Sequence, residues 1–262
     1  MKKKRKILVL TLLTLCLGIF SMCSVQAAAK TNSFVTNSKG DVSYYNKNGK
    51  KVKGLVTVNG KKYYFTSKGI QRTGWRCVNK KYYFFRQGKG ASAYMLTSTK
   101  VNGITLKKDG SASYNKQKLR KLKVMVHASK VVDGITNNKM TKSQKLRACY
   151  NKALSFRYGD TGTFYYSRTW DVDYAERMFF RGRGNCYAFG AAFAYMANAV
   201  GYKAYAISSG GHGWAEINGK VYDPNWGKST GKANWYYAMD YKLSGKQNRP
   251  NYKANRRYVK GI

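Results

Sequence analysis

At 262 residues the chain has room for one full domain and a smaller one, and a composition of 43% hydrophobic and 15% aromatic residues excludes a wholly disordered polymer. The 50 Lys plus Arg against 10 Asp plus Glu give a net charge of +40, which selects for anionic partners and says nothing about fold. Only 2 histidines occur and no Cys/His group has zinc-ligand spacing, so neither a metal nor any other cofactor is expected.

Residues 1–29 read as an export signal. Lys2, Lys3, Lys4, Arg5 and Lys6 form a basic start, residues 7–20 an apolar stretch too short for a membrane span, and Ala27, Ala28 and Ala29 suit a peptidase site. The expected localisation is therefore secreted, at the cell wall or cell surface, with membrane contact only before cleavage. Export also weighs against a nucleic-acid partner, which the charge alone would allow.

Residues 30–117 repeat. Tyr44-Tyr45, Tyr63-Tyr64 and Tyr82-Tyr83 recur at 19-residue intervals, each followed by a glycine turn, with Gly74-Trp75 completing the unit and a degenerate fourth copy at Asn102-Gly103-Ile104. Each unit reads as a short hairpin that cannot bury its own face and must stack on its neighbours, an all-β solenoid. The pattern resembles the choline-binding type of cell-wall-binding repeat. That resemblance implies ligand pockets between adjacent hairpins, here from Tyr63, Tyr64, Trp75, Tyr82 and Tyr83, with wall glycan or anionic teichoic-type polymers as partners. The alternative, that these rings only pack the hairpins together, stays open from sequence.

Residues 118–262 form the second expected domain. Leu119, Leu122, Val126 and Val131 give a helical stripe over 117–132; His127 within it has no acid nearby and reads as packing or solvated rather than catalytic. Thr141 and Gln144 make a capping box for the next helix, whose stripe includes Cys149. Residues 158–170 are aromatic and loop-like, and Trp170 is a candidate wall of a substrate cleft. Loss of Cys16 and Cys23 with the signal leaves Cys77, Cys149 and Cys186, an odd number that argues against a disulfide framework.

Cys186 opens a helix that is apolar all round and stops at Gly201. In that first turn the macrodipole and unpaired N–H groups favour a thiolate. Downstream, Asn218-Gly219 between alternating segments specifies a two-residue hairpin with a type I′ turn. Its register places Ile217 opposite Lys220, Glu216 opposite Val221, Ala215 opposite Tyr222 and Trp214 opposite Asp223. His212, Trp214, Glu216 and Asp223 then share one face, with Asp223 diagonal to His212 and within reach of its imidazole. Trp214 joins Trp170 as a candidate cleft residue.

Gly184-Asn185-Cys186 opening a helix, His212-Gly213-Trp214 on a strand and Tyr222-Asp223-Pro224 on the next resemble the transglutaminase-like superfamily. The resemblance covers the last 140 or so residues and implies an α+β papain-like fold with a Cys–His–Asp triad. Cys186 would be the nucleophile, His212 the general base and acid, and Asp223 the orienting carboxylate. The implied function is acyl transfer on peptide or isopeptide amide bonds of a peptide or protein substrate, with hydrolysis expected over transfer to an amine. The competing class is a wall-bound adhesin or peptide-binding module on the same scaffold without turnover.

Overall fold

A computed structural model describes residues 30–159, 162–253 and 255–262; the expected signal segment lies outside them. The first half is a row of hairpins: β1 (Ser33–Thr36) with β2 (Val42–Tyr45), β3 (Gly54–Val58) with β4 (Lys61–Phe65), and β5 (Gly74–Val78) with β6 (Lys81–Phe85). A three-stranded sheet of β7 (Lys100–Val101), β8 (Ile104–Leu106) and β9 (Ala112–Ser113) follows, at the degenerate fourth copy. The hairpins turn on pairs of left-handed residues, Asn59-Gly60 and Asn79-Lys80, the geometry of a type I′ turn.

Each hairpin is its own small sheet, tied to the next by its connecting segment. Gln71 N–H donates to the Val42 carbonyl at 2.7 Å and Met95 N–H to that of Lys62 at 2.7 Å. Rings fill the spaces between neighbours: Phe34 meets Tyr63 edge-on at 5.1 Å, and Tyr64 lies 5.9 Å from Phe85. A hairpin of this size is marginal alone, so these contacts carry its stability.

The second half packs α1 (Lys116–Ile135), α2 (Lys142–Leu154) and α3 (Trp170–Arg181) around α4 (Cys186–Val200), which itself lies on a five-stranded sheet. That sheet has the order β15-β14-β13-β12-β16, from β12 (Ala204–Ser208), β13 (Gly213–Ile217), β14 (Lys220–Tyr222), β15 (Met239–Asp240) and β16 (Tyr258–Gly261). A short parallel pair, β10 (Arg157–Tyr158) and β11 (Arg183–Gly184), and helix α5 (Pro224–Ser229) complete it. Helix α4 is buried on almost every side, which its alanine-rich sequence permits, and it sits at the centre of the largest hydrophobic cluster. That cluster also takes in Trp75, Tyr82, Ile104 and Leu106, so the last hairpins share a core with the helices.

Most expected elements are present with shifted ends. The expected helix over 117–132 runs to Ile135, and the capping box of Thr141 and Gln144 is formed as read. Helix α3 is a difference: its first turn begins at Trp170, which the sequence placed in a loop. No side-chain cap announces that start, and its amphipathic face becomes evident only after Asp171.

Candidate active site

The geometry begins with a close approach of helix to strand. A Cβ on Gly190 would lie 2.7 Å from the Trp214 backbone, and one on Gly213 would lie 2.7 Å from Tyr187 Cα, so only glycine lets α4 rest directly on β13. Asn185 caps α4 through its side chain, accepting from Ala188 N–H at 3.4 Å, while its amide donates to the Gly162 carbonyl at 3.3 Å. Cys186 is thereby held as the first residue of the helix, buried but at the edge of the core.

His212 lies in the tight connection just before β13 rather than within the strand. Ser209 fixes it: the Ser209 hydroxyl accepts His212 N–H at 2.8 Å, and Ser209 N–H donates to the His212 carbonyl at 2.9 Å. The Tyr187 hydroxyl donates to the Gly210 carbonyl at 2.8 Å, tying the same connection to α4. On the other side, β13 and β14 pair Ala215 with Tyr222, Glu216 with Val221 and Ile217 with Lys220, the register read from Asn218-Gly219.

That register delivers Asp223 to His212. The carboxylate Oδ2 meets His212 Nε2 at 2.5 Å and also accepts from the Tyr252 hydroxyl at 2.8 Å, while Oδ1 accepts from Trp226 N–H at 2.9 Å. Asp223 has no exposed surface, and the Tyr150 hydroxyl donates to its backbone carbonyl at 3.1 Å. It is at once the cap of α5 and the partner of the imidazole. Burial alone would push the His212 imidazolium down. The Asp223 charge and hydrogen bond outweigh it, and with the Cys186 thiol as a further hydrogen-bond partner they raise the group to about 10. Burial, followed by the nearby Asp223 charge, drives the Tyr150 and Tyr252 hydroxyls well up, so both stay protonated donors. Cys186, His212 and Asp223 are thus brought together.

The aromatic candidates differ from expectation. Trp170 and Trp214 are each 1% exposed, so neither walls an open cleft. Trp214 instead lies nearly parallel to the His212 ring at 6.2 Å, and its indole N–H donates to the Tyr241 hydroxyl at 3.1 Å. The ring beside His212 with an open side is Trp226, edge-on at 6.1 Å and only half-buried. A cavity of about 400 Å³ opens there, lined by Trp226, Lys232, Trp235 and Tyr236 among others. Sequence reading missed Trp226 and Tyr252. The Asp-Pro start of a helix could have pointed to Trp226 as the residue whose N–H the cap receives; nothing marks Tyr252.

In the hairpins, Tyr63, Trp75, Tyr82 and Tyr83 are all buried, and only Tyr64 keeps a partly open face. Trp75 is 2% exposed, and its indole N–H is spent on Asn102 Oδ1 at 2.9 Å. Four of the five expected pocket rings are therefore buried: Tyr63 and Tyr83 in the small clusters between hairpins, Trp75 and Tyr82 in the core shared with the helices.

Residues 129–228 match the family model of the transglutaminase-like superfamily, a span that holds Cys186, His212 and Asp223. This part of the chain is a transglutaminase-like domain. Residues 52–94, ahead of it, match the model of the choline-binding repeat. Among solved structures, the choline-binding domain of Spr1274 from Streptococcus pneumoniae is 25% identical, with a TM-score of 0.27, over 31% of this chain and 94% of that one. Choline binding protein F from the same organism, crystallised with a peptidoglycan analogue, is 26% identical, with a TM-score of 0.28, over 32% of this chain and 29% of that one. No curated protein matches the chain. Among the described residues no helix is long and apolar enough to cross a membrane.

Proposed function

We propose that this is an exported, wall-associated cysteine acyl-transfer enzyme that hydrolyses peptide or isopeptide amide bonds through Cys186, His212 and Asp223. The observation that carries the reading is the imidazole of His212 held between a wholly buried carboxylate and a thiol at a helix N-terminus. Asp223 occupies Nε2, which leaves Nδ1 as the nitrogen that exchanges a proton with the thiol. His212 takes the Cys186 proton, and the sulfur attacks the amide carbonyl carbon. The C–N bond then breaks as the imidazolium passes that proton to the leaving nitrogen, giving a thioester. Water, losing a proton to Nδ1, releases the acid and restores the thiol. The Cys186 N–H, without an intrahelical partner in the first turn, is the donor offered to the oxyanion. The cavity lined by Trp226, Trp235 and Tyr236 offers a distal part of the substrate an aromatic bed, with Trp226 the ring it shares with the surroundings of His212.

The match to choline-binding repeats supports retention on wall polymers by the first half. The charge contributes too, but attraction between exposed groups is screened within about 3 Å at 1 M salt.

Labelling by iodoacetamide tests the triad, in a Cys77→Ser background because Cys77 is exposed. Cys186 is expected to react near neutral pH and to slow sharply in His212→Ala. Cys149, whose thiol burial pushes up to about 12, should stay unlabelled. Equal Cys186 rates with and without His212 would refute a thiol–imidazole pair. Mass spectrometry for a thioester on Cys186, with and without added primary amine, separates hydrolysis from transfer.

A further inference from the structure

The junction between the hairpins and the helices encloses a cavity of about 180 Å³, the liquid volume of roughly six waters at ~30 Å³ each. Four cations line it: Arg72 and Arg76 from the hairpins, Lys89 from the following loop and Lys145 from α2. The lining holds one carboxylate, Asp133 of α1, and it is shared. Arg76 meets it at 3.0 Å and Arg72 at 3.7 Å, while Arg72 also leans on Asp41 at 3.5 Å. Among the described residues Lys145 has no carboxylate partner at ion-pair distance, and Lys89 Nζ donates only to the Asn138 carbonyl, at 2.5 Å. The C-terminal ends of α1 and α4 also face this space, each worth about half a negative charge. Even with them counted, positive charge is left over.

The second observation is Arg76 itself. It is 4% exposed, yet its Nε has no hydrogen-bond partner. A buried guanidinium donor left unpaired costs free energy, on the order of 1–3 kcal/mol or more for a charged group. A latch of hairpin to helix needs only the Arg76–Asp133 pair; it explains neither the orphaned donor nor Lys89 and Lys145. Gln71 lines the same space, with its amide already paired to the Gly90 backbone at 2.8 Å on both sides.

We propose that this cavity is a binding site for a phosphate group, either the phosphodiester of an anionic wall polymer or free inorganic phosphate, held by Arg76, Arg72, Lys89 and Lys145. Planar, multidentate guanidinium donors beside ammonium point charges suit tetrahedral phosphate oxygens. Burial drives Arg76 and Lys145 down, and the neighbouring cations Lys89 and Arg72 add to this for Lys145; a bound anion relieves both. The site lies apart from the triad and does not depend on its chemistry.

Thermal unfolding and calorimetric titration of the full chain decide it, with inorganic phosphate compared against sodium chloride at equal ionic strength. Phosphate is expected to raise Tm beyond the chloride effect. Lys89→Ala/Lys145→Ala, which leaves the Arg76–Asp133 latch intact, should weaken phosphate binding about tenfold or more, equivalent to about 1.4 kcal/mol. A control pair of exposed lysines outside the lining, Lys47→Ala/Lys50→Ala, lowers net charge equally and should change nothing. Equal loss in both double variants, or no phosphate effect beyond chloride, overturns the proposal. A glycerol-phosphate oligomer binding more tightly than inorganic phosphate identifies a polymer phosphodiester as the occupant; weaker or equal binding identifies free phosphate, provided either is lost in Lys89→Ala/Lys145→Ala.

Discussion

The hairpin half uses its aromatic residues as core, and the helical half sets some of them around a charge as well. In the hairpins, Tyr63 and Tyr83 are core beside Phe65 and Phe85, and Trp75 enters the core shared with the helices, because a two-stranded sheet has little else to bury. In the helical half, α4 supplies much of the core with small residues and Phe, and besides the aromatic residues buried there a second set gathers around a polar centre. Trp214, Trp226 and Tyr252 surround His212, and the Tyr150 and Tyr252 hydroxyls serve Asp223. An aromatic residue is therefore a poor guide to a binding face until something else is known to build the core.

The largest expected effect tests the polar centre. Asp223→Asn should lower kcat by roughly 10²–10⁴-fold with little change in fold, as loss of an orienting carboxylate does in other triads. A variant with full activity would show that Asp223 serves only as the α5 cap. The raised His212 adds a pH signature. Its folded pKa lies above the ordinary 6.5, so its contribution to stability is complete below pH 6.5 and is lost as pH rises through about 10. The Tm gap between the wild-type protein and His212→Asn should therefore narrow across that window; a constant gap would mean that no ionised pair forms.

Next in size is the hairpin side. Trp75→Ala removes a buried ring at the contact with α1 and should cost about 3–5 kcal/mol of stability. Because the largest cluster is shared, unfolding should remain one transition at lower temperature. Two separate transitions would mean that the halves fold independently and would sharpen the contrast between them.

The comparison also shows what sequence carries and what it does not. Local rules place the I′ turn at Asn218-Gly219, and from it the ladder that brings Asp223 to His212. The helix start at Cys186 follows from an Asn cap and an unbroken apolar run. Burial of Tyr63 and Trp75 was not legible, since period fixes where rings recur and not whether a neighbour covers them. Tyr252 was beyond local reading, being brought to Asp223 by the pairing of β16 on β12, an interaction without a turn or period to announce it.

The smallest effect is at that residue. Tyr252→Phe keeps the ring against Trp214 and removes one donor to Asp223, at a cost of about 0.5–1.5 kcal/mol. A carboxylate with one donor fewer holds the imidazolium more strongly, so the alkaline limb of the pH–rate profile, where the imidazolium is lost, should move upward. An unchanged limb would leave Tyr252 as packing alone.

The three described thiols stand apart, with Cys77 exposed, Cys149 in the core and Cys186 at the head of α4, and no bridge joins them. The fold of the described residues therefore owes nothing to oxidation. Reductant should leave the melting curve unmoved while keeping Cys186 reduced, whereas air oxidation has its easiest target at Cys77, where two molecules can couple through their surfaces. In preparative terms, a dimer that appears on storage and vanishes with reductant reports surface chemistry at Cys77, and the Cys77→Ser protein should remain monomeric without any thiol in the buffer.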